Sequence, residues 1–438
     1  MTFQNKYSRI HPNQKPGERQ MSKIKLLLAS SLTTTILLII LAVSNLCQSG
    51  CERASSHMTT TTTTTTSTAA PSSSTTTGTV STTTGTVSTT TVTFSSTTST
   101  VVTPGGRFAI QNIAHTGTFT GNIYCSLAVD RLNDRKVHIA YYDRFYENLN
   151  YIFGSISSWS IAVVDNTGNV GQYTSIAMDS NNHPHISYYE PRNSALGYAY
   201  NDGSGWVTFT LDDPEDADVG YFSSIAIDSS NKVHIAYYDW TNNNLKYATN
   251  QLGYWTIEFV DGPGKGQDCS LALDSAGKAH ISYYDESGSN LHYATNKLGT
   301  WTKVAVDSAV SVVQYTSIAV DSSDNCHISY YDESNHDLKY ATNTAGLWQT
   351  LSIDSLGDVG QFTSITLSGS GNPYISYYDA SNGNLKLAKK SEFGWTLSTI
   401  DNTGNVGQDT SIRIGSDGKM HIVYYNVDLF LIRYAAEK

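Results

Sequence analysis

Cysteine is scarce in this chain of 438 residues, and its five copies are too few and too irregularly spaced for a disulfide framework. The chain contains no Cys-x-x-Cys pair and no cysteine–histidine spacing typical of a zinc site. Cys125 and Cys269 hold equivalent places in two repeats, which predicts that both are small buried residues. Cys47 and Cys51 flank a hydrophobic segment, where lipidation, a link between two chains or neither role is open.

Positive charge is scarce in most of the chain as well. Residues 107–438 hold 20 Lys and Arg against 36 Asp and Glu, which leaves a charge of about −16. The first 106 residues carry about +5. An acidic domain repels a phosphate backbone, so nucleic acid is not an expected partner.

Charged residues are absent from 26–46, a stretch rich in Leu and Ile. As a helix these residues would span about 31 Å, the thickness of a bilayer core. Six basic residues precede the stretch, and this bias places residues 1–25 in the cytoplasm as a basic tail. We therefore predict a transmembrane signal anchor at 26–46, with the rest of the chain extracellular. The alternative is a signal peptide that begins at Met21, with a secreted product if residues 1–51 are cleaved.

Residues 47–106 are predicted to be a disordered stalk. Ser and Thr make up 34 of the 46 residues from Thr59 to Pro104, and no charged residue occurs there. Such a composition buries too little apolar surface to offset chain entropy. It is typical either of an O-glycosylated, mucin-like stalk or of a plain flexible linker.

The remainder, 107–438, consists of internal repeats. A Tyr-Tyr motif recurs seven times at spacings of 46 to 49 residues, beginning at Tyr141, Tyr188, Tyr237, Tyr283, Tyr330, Tyr377 and Tyr424. Each copy lies in a frame of four short runs rich in Tyr, Ile and Val, bounded by Asn, Asp, Ser and Gly. No helical period appears. The pattern predicts an all-β fold, a seven-bladed β-propeller with four antiparallel strands per blade.

The ends of the repeat region predict how the ring closes. The last repeat stops after its third run, at Leu431–Ala435, whereas Phe108–Ile113 supplies a fourth run before any blade has begun. We therefore predict that the N-terminal strand, 107–114, completes the last blade, which pairs two edges that would otherwise be open.

Ser, Asp and His recur in the repeats. Six copies have a His two residues after the first turn, five have an Asp at the end of the first strand, and all have a Ser at its start. Because one trio repeats in blade after blade, we predict a buried hydrogen-bond network in each blade and no catalytic triad.

The hairpin Ala294–Trp301 is similar to a degenerate Asp-box, Ser-x-Asp-x-Gly-x-Thr-Trp, although Asn replaces its Asp and the Gly lies one residue closer to Trp301. On such residues the repeats resemble the sialidase-like, BNR-repeat propellers over 107–438. The resemblance implies three Arg that converge on a carboxylate, a Tyr–Glu nucleophile pair and an Asp acid. It also implies that the hairpin joins the third and fourth strands of a blade.

Three arginines and one glutamate are candidates for a carboxylate-binding pocket. Arg144 and Arg192 directly follow the Tyr-Tyr motif in blades one and two, Arg413 replaces a small residue in blade seven, and Glu190 replaces an Asp. Those blades are neighbours in a closed ring. The alternative is that these arginines are solvated surface residues.

A recurring Gln precedes the first strand in five blades. Either these amides cap loops, or they form a rim at one mouth of the central channel that offers hydrogen bonds to a glycan or peptide. Blades one and three have Ile123 and Tyr221 instead. The five residues are Gln172, Gln267, Gln314, Gln361 and Gln408.

An acidic loop follows the Trp strand of blade two. Five carboxylates in seven residues are a candidate Ca²⁺ site, although their spacing fits no EF-hand and a solvated loop is the alternative. They are Asp212, Asp213, Glu215, Asp216 and Asp218. No other cofactor is predicted.

These observations favour a cell-surface binding module over an enzyme. A near-symmetric ring can present several similar weak sites to a glycan, as lectins do, or to a protein. No residue is predicted to be catalytic. The alternatives are a sialidase-like glycosidase or lyase, which needs one asymmetric set of acid, base and Arg, and a structural surface protein without a small ligand.

Overall fold

The computed structural model describes residues 107–117, 121–133, 135–309 and 313–438. These residues form seven sheets of four antiparallel strands and contain no helix, so the prediction of an all-β, seven-bladed propeller is confirmed. The predicted cytoplasmic tail, transmembrane anchor and stalk lie outside the described residues. Within the described part, no helix has the length and apolar character needed to cross a membrane.

Each complete blade runs in chain order from its innermost to its outermost strand. Blade one holds β2 (Ser126–Val129), β3 (Val137–Asp143), β4 (Asn148–Ser155) and β5 (Ser158–Asp165). Blade two holds β6 (Gln172–Met178), β7 (Pro184–Glu190), β8 (Ala195–Asn201) and β9 (Trp206–Asp212). Blade three holds β10 (Val219–Ile227), β11 (Val233–Asp239), β12 (Asn244–Thr249) and β13 (Thr256–Asp261).

The later blades repeat this order. Blade four holds β14 (Lys265–Leu273), β15 (Ala279–Asp285), β16 (Asn290–Thr295) and β17 (Thr302–Asp307). Blade five holds β18 (Val313–Val320), β19 (Cys326–Asp332), β20 (Asp337–Thr342) and β21 (Gln349–Asp354). Blade six holds β22 (Val359–Leu367), β23 (Pro373–Asp379), β24 (Asn384–Ser391) and β25 (Gly394–Asp401). Blade seven holds β26 (Val406–Ile414), β27 (Met420–Asn426), β28 (Leu431–Glu437) and, outermost, β1 (Phe108–His115).

The ring closes through the first strand, as predicted. β1 pairs antiparallel with β28, from Phe108 opposite Glu437 to His115 opposite Leu431. Phe108 and Ile110 are buried in a core cluster shared with blade six. The seven innermost strands contact one another in ring order, and β26 of blade seven contacts β2 of blade one. Every blade is therefore packed on both sides around a central channel.

The second strand of each blade explains why its sequence is apolar or aromatic at nearly every position. All seven residues of β11, Val-His-Ile-Ala-Tyr-Tyr-Asp, are buried because a neighbouring blade covers each face. The outermost strand differs, since its outward positions meet solvent. Phe259 of β13, for example, is 58% exposed.

The serine at the start of each innermost strand connects neighbouring blades, which corrects the prediction of a Ser–Asp–His network. Its hydroxyl accepts the backbone N–H of the residue that follows the equivalent serine in the next blade. The recurring His lies opposite the residue two positions after this serine, and the Asp follows the end of the strand. The seven bonds, 3.0 to 3.3 Å long, run from Ser126 to Ile176, Ser175 to Ile225, Ser224 to Leu271, Ser270 to Ile318, Ser317 to Ile365, Ser364 to Ile412 and Ser411 to Leu127.

The recurring histidine does pair with the recurring aspartate, and its second partner is a tyrosine. In five blades the Nε2 atom lies 3.3 to 4.0 Å from the Asp carboxylate at the end of the first strand. The Nδ1 atom contacts a Tyr hydroxyl of the third strand, at 2.5 Å in the pairs His138–Tyr151 and His185–Tyr198. Burial lowers the pKa of His138 and of His185 to about 4, against the pull of the carboxylate.

Because these histidines are buried in their neutral form, we expect the folded protein to lose stability in acid. In the unfolded chain a His binds its proton near pH 6.5, whereas the folded protein leaves His138 neutral down to about pH 4, so stability falls between those values. We expect His138 to contribute about 2 kcal/mol less at pH 5 than at pH 7.5. His138→Gln should remove that difference in urea melts at the two pH values. An NMR titration that protonates His138 near pH 6.5 would contradict the expectation.

Candidate functional site

The two ends of the blades carry different loops. The Tyr-Tyr motif ends the second strand beside the beginning of the first strand, as Tyr189 opposite Gln172 shows in blade two. The loops that follow the motif and the connections between blades therefore share one end, which we call the tyrosine end. The turns after the first strand and the hairpins after the third strand lie at the other end, the hairpin end.

A pocket with a volume of about 340 Å³ opens at the tyrosine end between blades one and two. Tyr142 forms part of its wall, and its hydroxyl donates to Asn169 Oδ1 at 2.9 Å. Phe145 is 51% exposed, and Arg144 is exposed and makes no ion pair with any described residue. The pocket thus offers a cation, a carboxylate, amides and aromatic rings together. Its lining residues are Tyr142, Arg144, Phe145, Glu147, Asn169 and Gln172.

Aromatic rings continue from this pocket across blades one to three. We call this set the aromatic platform: Tyr124, Tyr142, Tyr173, Tyr189, Tyr221, Phe222 and Trp240. Successive ring centroids lie 4.1 to 6.4 Å apart, within the range of direct ring contact. Trp240 ends the run, half exposed, with its ring 5.3 Å from that of Tyr221.

A carboxylate holds the middle of the platform in place. The Tyr189 hydroxyl donates to Asp218 Oδ1 at 2.8 Å, and the Tyr221 hydroxyl donates to Asp218 Oδ2 at 3.1 Å. Burial raises the pKa of Tyr189 and of Tyr221. Both hydroxyls therefore stay protonated at physiological pH, and the rings keep a fixed orientation.

The structure brings two of the three candidate arginines to one end. Arg144 and Arg192 are both exposed at the tyrosine end of adjacent blades, and Arg192 Nη1 donates to the carbonyl of Thr167. Arg413 lies opposite His421, five residues beyond Gln408 along β26, and so faces the hairpin end of blade seven. The three guanidinium groups do not converge, because the strand separates them.

Arg413 itself lines the channel. Its side chain is only partly accessible, and its Nη1 donates to the Ile412 carbonyl at 2.7 Å. Surrounding protein lowers the pKa of the guanidinium through desolvation. The equivalent positions in the other six blades hold Ala or Thr. Arg413 is therefore the one cation among these seven positions.

Glu190 points into its own blade. It is 4% exposed, and its carboxylate accepts bonds from Asn193 Nδ2 at 2.7 Å and Thr210 Oγ1 at 3.1 Å. Burial raises the pKa of this carboxyl. Gly197 leaves room for the longer side chain, since a Cβ there would lie 2.5 Å from Glu190 Oε1. This geometry accounts for the exchange of Asp for Glu in structural terms.

The glutamines lie at the channel mouth and contact their neighbours. One reaches the second Tyr of the preceding blade, since Gln267 Nε2 lies 3.5 Å from the Tyr238 hydroxyl. Others donate to carboxylates: Gln314 to Glu333 and Gln361 to Asp358. These bonds support loop capping, and a role of the amides in ligand binding stays a prediction.

The acidic loop divides into two groups. Asp212 is buried and accepts bonds from the Tyr237 hydroxyl and from Lys246 Nζ, and Asp218 holds the platform. Asp213, Glu215 and Asp216 are exposed. Within the described residues, no three His, Cys, Asp or Glu side chains are grouped as metal ligands. Binding of Ca²⁺ by this loop stays a prediction, which calorimetry with CaCl₂ would test.

The sequence reasoning missed a ring of seven residues at the channel mouth, which we call the collar. Each follows the Gln position and adopts a positive φ of 49 to 54°. Five are aromatic, but blades four and seven carry aspartate, and that exchange was the available signal. The collar consists of Tyr124, Tyr173, Phe222, Asp268, Tyr315, Phe362 and Asp409.

The two collar aspartates are held without a cationic partner among the described residues. Asp409 Oδ2 accepts the backbone N–H groups of Ile123 at 2.7 Å and Tyr124 at 3.3 Å. Asp268 accepts the backbone N–H of Tyr315. Desolvation raises the pKa of Asp268 to about 7 and that of Asp409 to about 6, although both stay partly accessible from the channel.

Comparison with known proteins identifies the fold. No protein-family model and no curated protein sequence matches the chain. Among solved structures, an ulvan lyase from a new family of polysaccharide lyases has a TM-score of 0.52 at 11% identity, over 75% of this chain and 96% of that chain. A chain of the mitotic checkpoint complex has a TM-score of 0.50 at 13% identity, over 75% and 94%.

A sialidase named Hadza microbial sialidase Hz136 also aligns, with a TM-score of 0.44 at 11% identity, over 69% of this chain and 73% of that chain. At such identities a likeness shows the shared fold and leaves the chemistry open. The chain is a seven-bladed β-propeller whose structural neighbours include polysaccharide lyases and sialidases.

Proposed function

We propose that the domain is a cell-surface binding module that holds an acidic glycan at the tyrosine end of blades one to three. The observation that carries the proposal is the aromatic platform, which adjoins a pocket containing Arg144, an arginine without an ion pair among the described residues. Tyr142 and Tyr189 are buried, so the faces open to a sugar ring are those of half-exposed Trp240 and of the partly exposed rings, while charged and amide groups beside them fix orientation. The partly exposed rings are Tyr124, Tyr173, Tyr221 and Phe222.

The charges at this end support an acidic ligand. Arg144 is exposed and without an ion pair in the described structure, and Arg192 lies nearby in the next blade. A planar guanidinium can donate two parallel hydrogen bonds to a carboxylate or a sulfate. The overall acidic domain would otherwise repel such a ligand, so these two cations select where it binds.

The lyase and sialidase alternatives have less support in this geometry. The fold is shared with a polysaccharide lyase, but it also serves in the mitotic checkpoint complex, so the fold selects no activity. Arg413 is separated from the other two arginines, and the Glu190 carboxylate accepts hydrogen bonds from Asn193 and Thr210. We expect no turnover of fluorogenic sialosides or of acidic polysaccharides.

Two substitutions test the proposal on a glycan array probed with residues 105–438, which contain all 28 strands. Trp240→Ala removes an exposed ring at the end of the platform, and Arg144→Ala removes the unpaired cation of the pocket. We expect each to lower the affinity for acidic glycans about fivefold or more, since stacking and a charged hydrogen bond each contribute on the order of 1–3 kcal/mol.

Phe393→Ala is the matched control, because this ring is 93% exposed on a hairpin at the opposite end of blade six. It should leave glycan binding unchanged. The proposal would be refuted if the wild-type domain bound no acidic glycan, or if Trp240→Ala and Arg144→Ala both bound acidic glycans as tightly as the wild type. Either result would favour a structural surface protein. The membrane anchor and extracellular location stay part of this proposal and need topology mapping of the full chain.

A further inference from the structure

The collar shares Tyr124, Tyr173 and Phe222 with the aromatic platform, but its two aspartates have no part in the proposed glycan site. Blades one to three and five to six place five aromatic rings around the channel mouth, with centroids of neighbouring rings 4.4 to 4.7 Å apart. Blades four and seven interrupt this ring with Asp268 and Asp409. Because three blade steps in a ring of seven separate them, Asp268 and Asp409 lie on nearly opposite sides of the collar.

Neither carboxylate forms a salt bridge with a described residue. No Lys, Arg or His among the described residues lies within ion-pair distance of Asp268 or Asp409. After burial, the charges of both aspartates contribute to the raised pKa of the same collar residue, Tyr315. Two carboxylates that accept backbone N–H groups but have no cationic partner at ion-pair distance among the described residues, and that lie beside aromatic rings, favour the binding of a cation.

We propose that the collar binds an organic ammonium ion, held between the Asp268 and Asp409 carboxylates and stacked against the collar rings. An ammonium group supplies the missing charge, and its alkyl substituents fit the aromatic walls. This inference goes beyond the proposed glycan site, which relies on Arg144 and Trp240 and uses neither aspartate.

The other ionisable groups around the collar leave the two aspartates as the groups that titrate near neutral pH. The surrounding phenols and thiols all have a raised pKa, chiefly because of burial, and so stay neutral. They are Tyr124, Tyr173, Tyr315, Tyr425, Cys125 and Cys269. Arg413 lies towards the hairpin end of the channel, several residues from the collar. Binding of an ammonium ion should therefore weaken in acid, as the two carboxyls take up protons.

Calorimetry at pH 8 with n-butylammonium chloride tests the site, with n-butanol and NaCl as controls for the alkyl chain and for ionic strength. We expect n-butylammonium to bind and both controls to fail. N-acetyl-lysine amide, which carries the same amine on a peptide backbone, distinguishes a free amine from the lysine of a partner protein. Binding of either amine supports the site.

The double variant Asp268→Asn/Asp409→Asn keeps acceptor oxygens for the backbone N–H groups and removes the charge. We expect its affinity for n-butylammonium to fall at least tenfold, and a similar fall for the wild type between pH 8 and pH 5. Glu392→Gln, at an exposed hairpin, is the control and should bind normally. Unchanged affinity in the double variant, or equal binding of n-butanol, would overturn the proposal.

An independent readout guards against a folding defect in the variants. In ¹³C spectra of the wild type, n-butylammonium should shift the titration of both side-chain carboxyls to lower pH, because a cation favours the ionised form. An unshifted titration would also overturn the proposal. Arg144→Ala should leave amine binding intact, so failure of the glycan site and failure of the collar site are distinguishable.

Discussion

Removal of residues 107–114 is expected to destabilise the domain by at least about 5 kcal/mol, lowering the melting temperature by about 10 °C or more. The deletion removes all but the last residue of β1, and with it the buried side chains Phe108, Ile110 and Ile113. It also exposes the ladder edge of β28. Thermal melts of residues 105–438 and 115–438, followed by circular dichroism, measure the difference.

β1 also joins blade seven to blade one, which adds to this effect. The Gln111 amide donates to the Ile156 carbonyl at 2.6 Å, and the Trp159 indole donates to Gln111 Oε1 at 3.1 Å. A synthetic peptide of residues 107–116, added to the shortened protein, should restore part of the lost melting temperature. Identical melting of the two proteins would refute ring closure by this strand as a source of stability.

Neutralising the collar is expected to stabilise the protein at alkaline pH. Because desolvation raises the pKa of Asp268 from 3.8 to about 7, the ionised carboxylate destabilises the folded state relative to the unfolded chain. The protein therefore loses stability as pH rises from about 4 to about 7, the interval in which the folded state still binds this proton and the unfolded chain does not. We expect Asp268→Asn to raise the free energy of unfolding by about 2 kcal/mol or more at pH 8.

The gain should depend on pH and on which aspartate is changed. At pH 5 the carboxyl of Asp268 is protonated in the folded protein but ionised in the unfolded chain, so Asp268→Asn should give a smaller gain there than at pH 8, and the gain should vanish only near pH 4. Asp409→Asn should give a smaller gain at pH 8, since the pKa of Asp409 is raised only to about 6. Urea melts at both pH values decide; a variant less stable than the wild type at pH 8 would contradict the expectation.

A stabilising substitution at two positions of one ring has a functional implication. Protein folds tolerate unfavourable charges chiefly where a ligand compensates them, and five blades show that an aromatic residue fits the same backbone conformation. The stability experiment measures what the two carboxylates cost the folded protein, and the amine titration measures what they contribute to binding. Agreement between them would assign the aspartates to binding.

The repeat pattern was sufficient for the architecture. The spacing of the Tyr-Tyr motif predicted seven blades, and the unequal chain ends predicted that β1 completes blade seven, because local strand patterns and edge pairing follow directly from residue order. Buried Cys125 and Cys269 were predicted correctly for the same reason. The partner of the recurring Ser was predicted wrongly, since that contact crosses between blades.

The candidate site shows what residue order could not provide. The strands, the number of blades and the blade that carries each arginine follow from residue order, because they depend on local periodicity. The folded ring was needed to show that Arg413 lies at the far end from Arg144, that rings of three blades form one platform, and that Asp268 and Asp409 belong to the same collar. These relations depend on how curved sheets meet around an axis, and side chains separated by about 140 residues come together only when the ring closes.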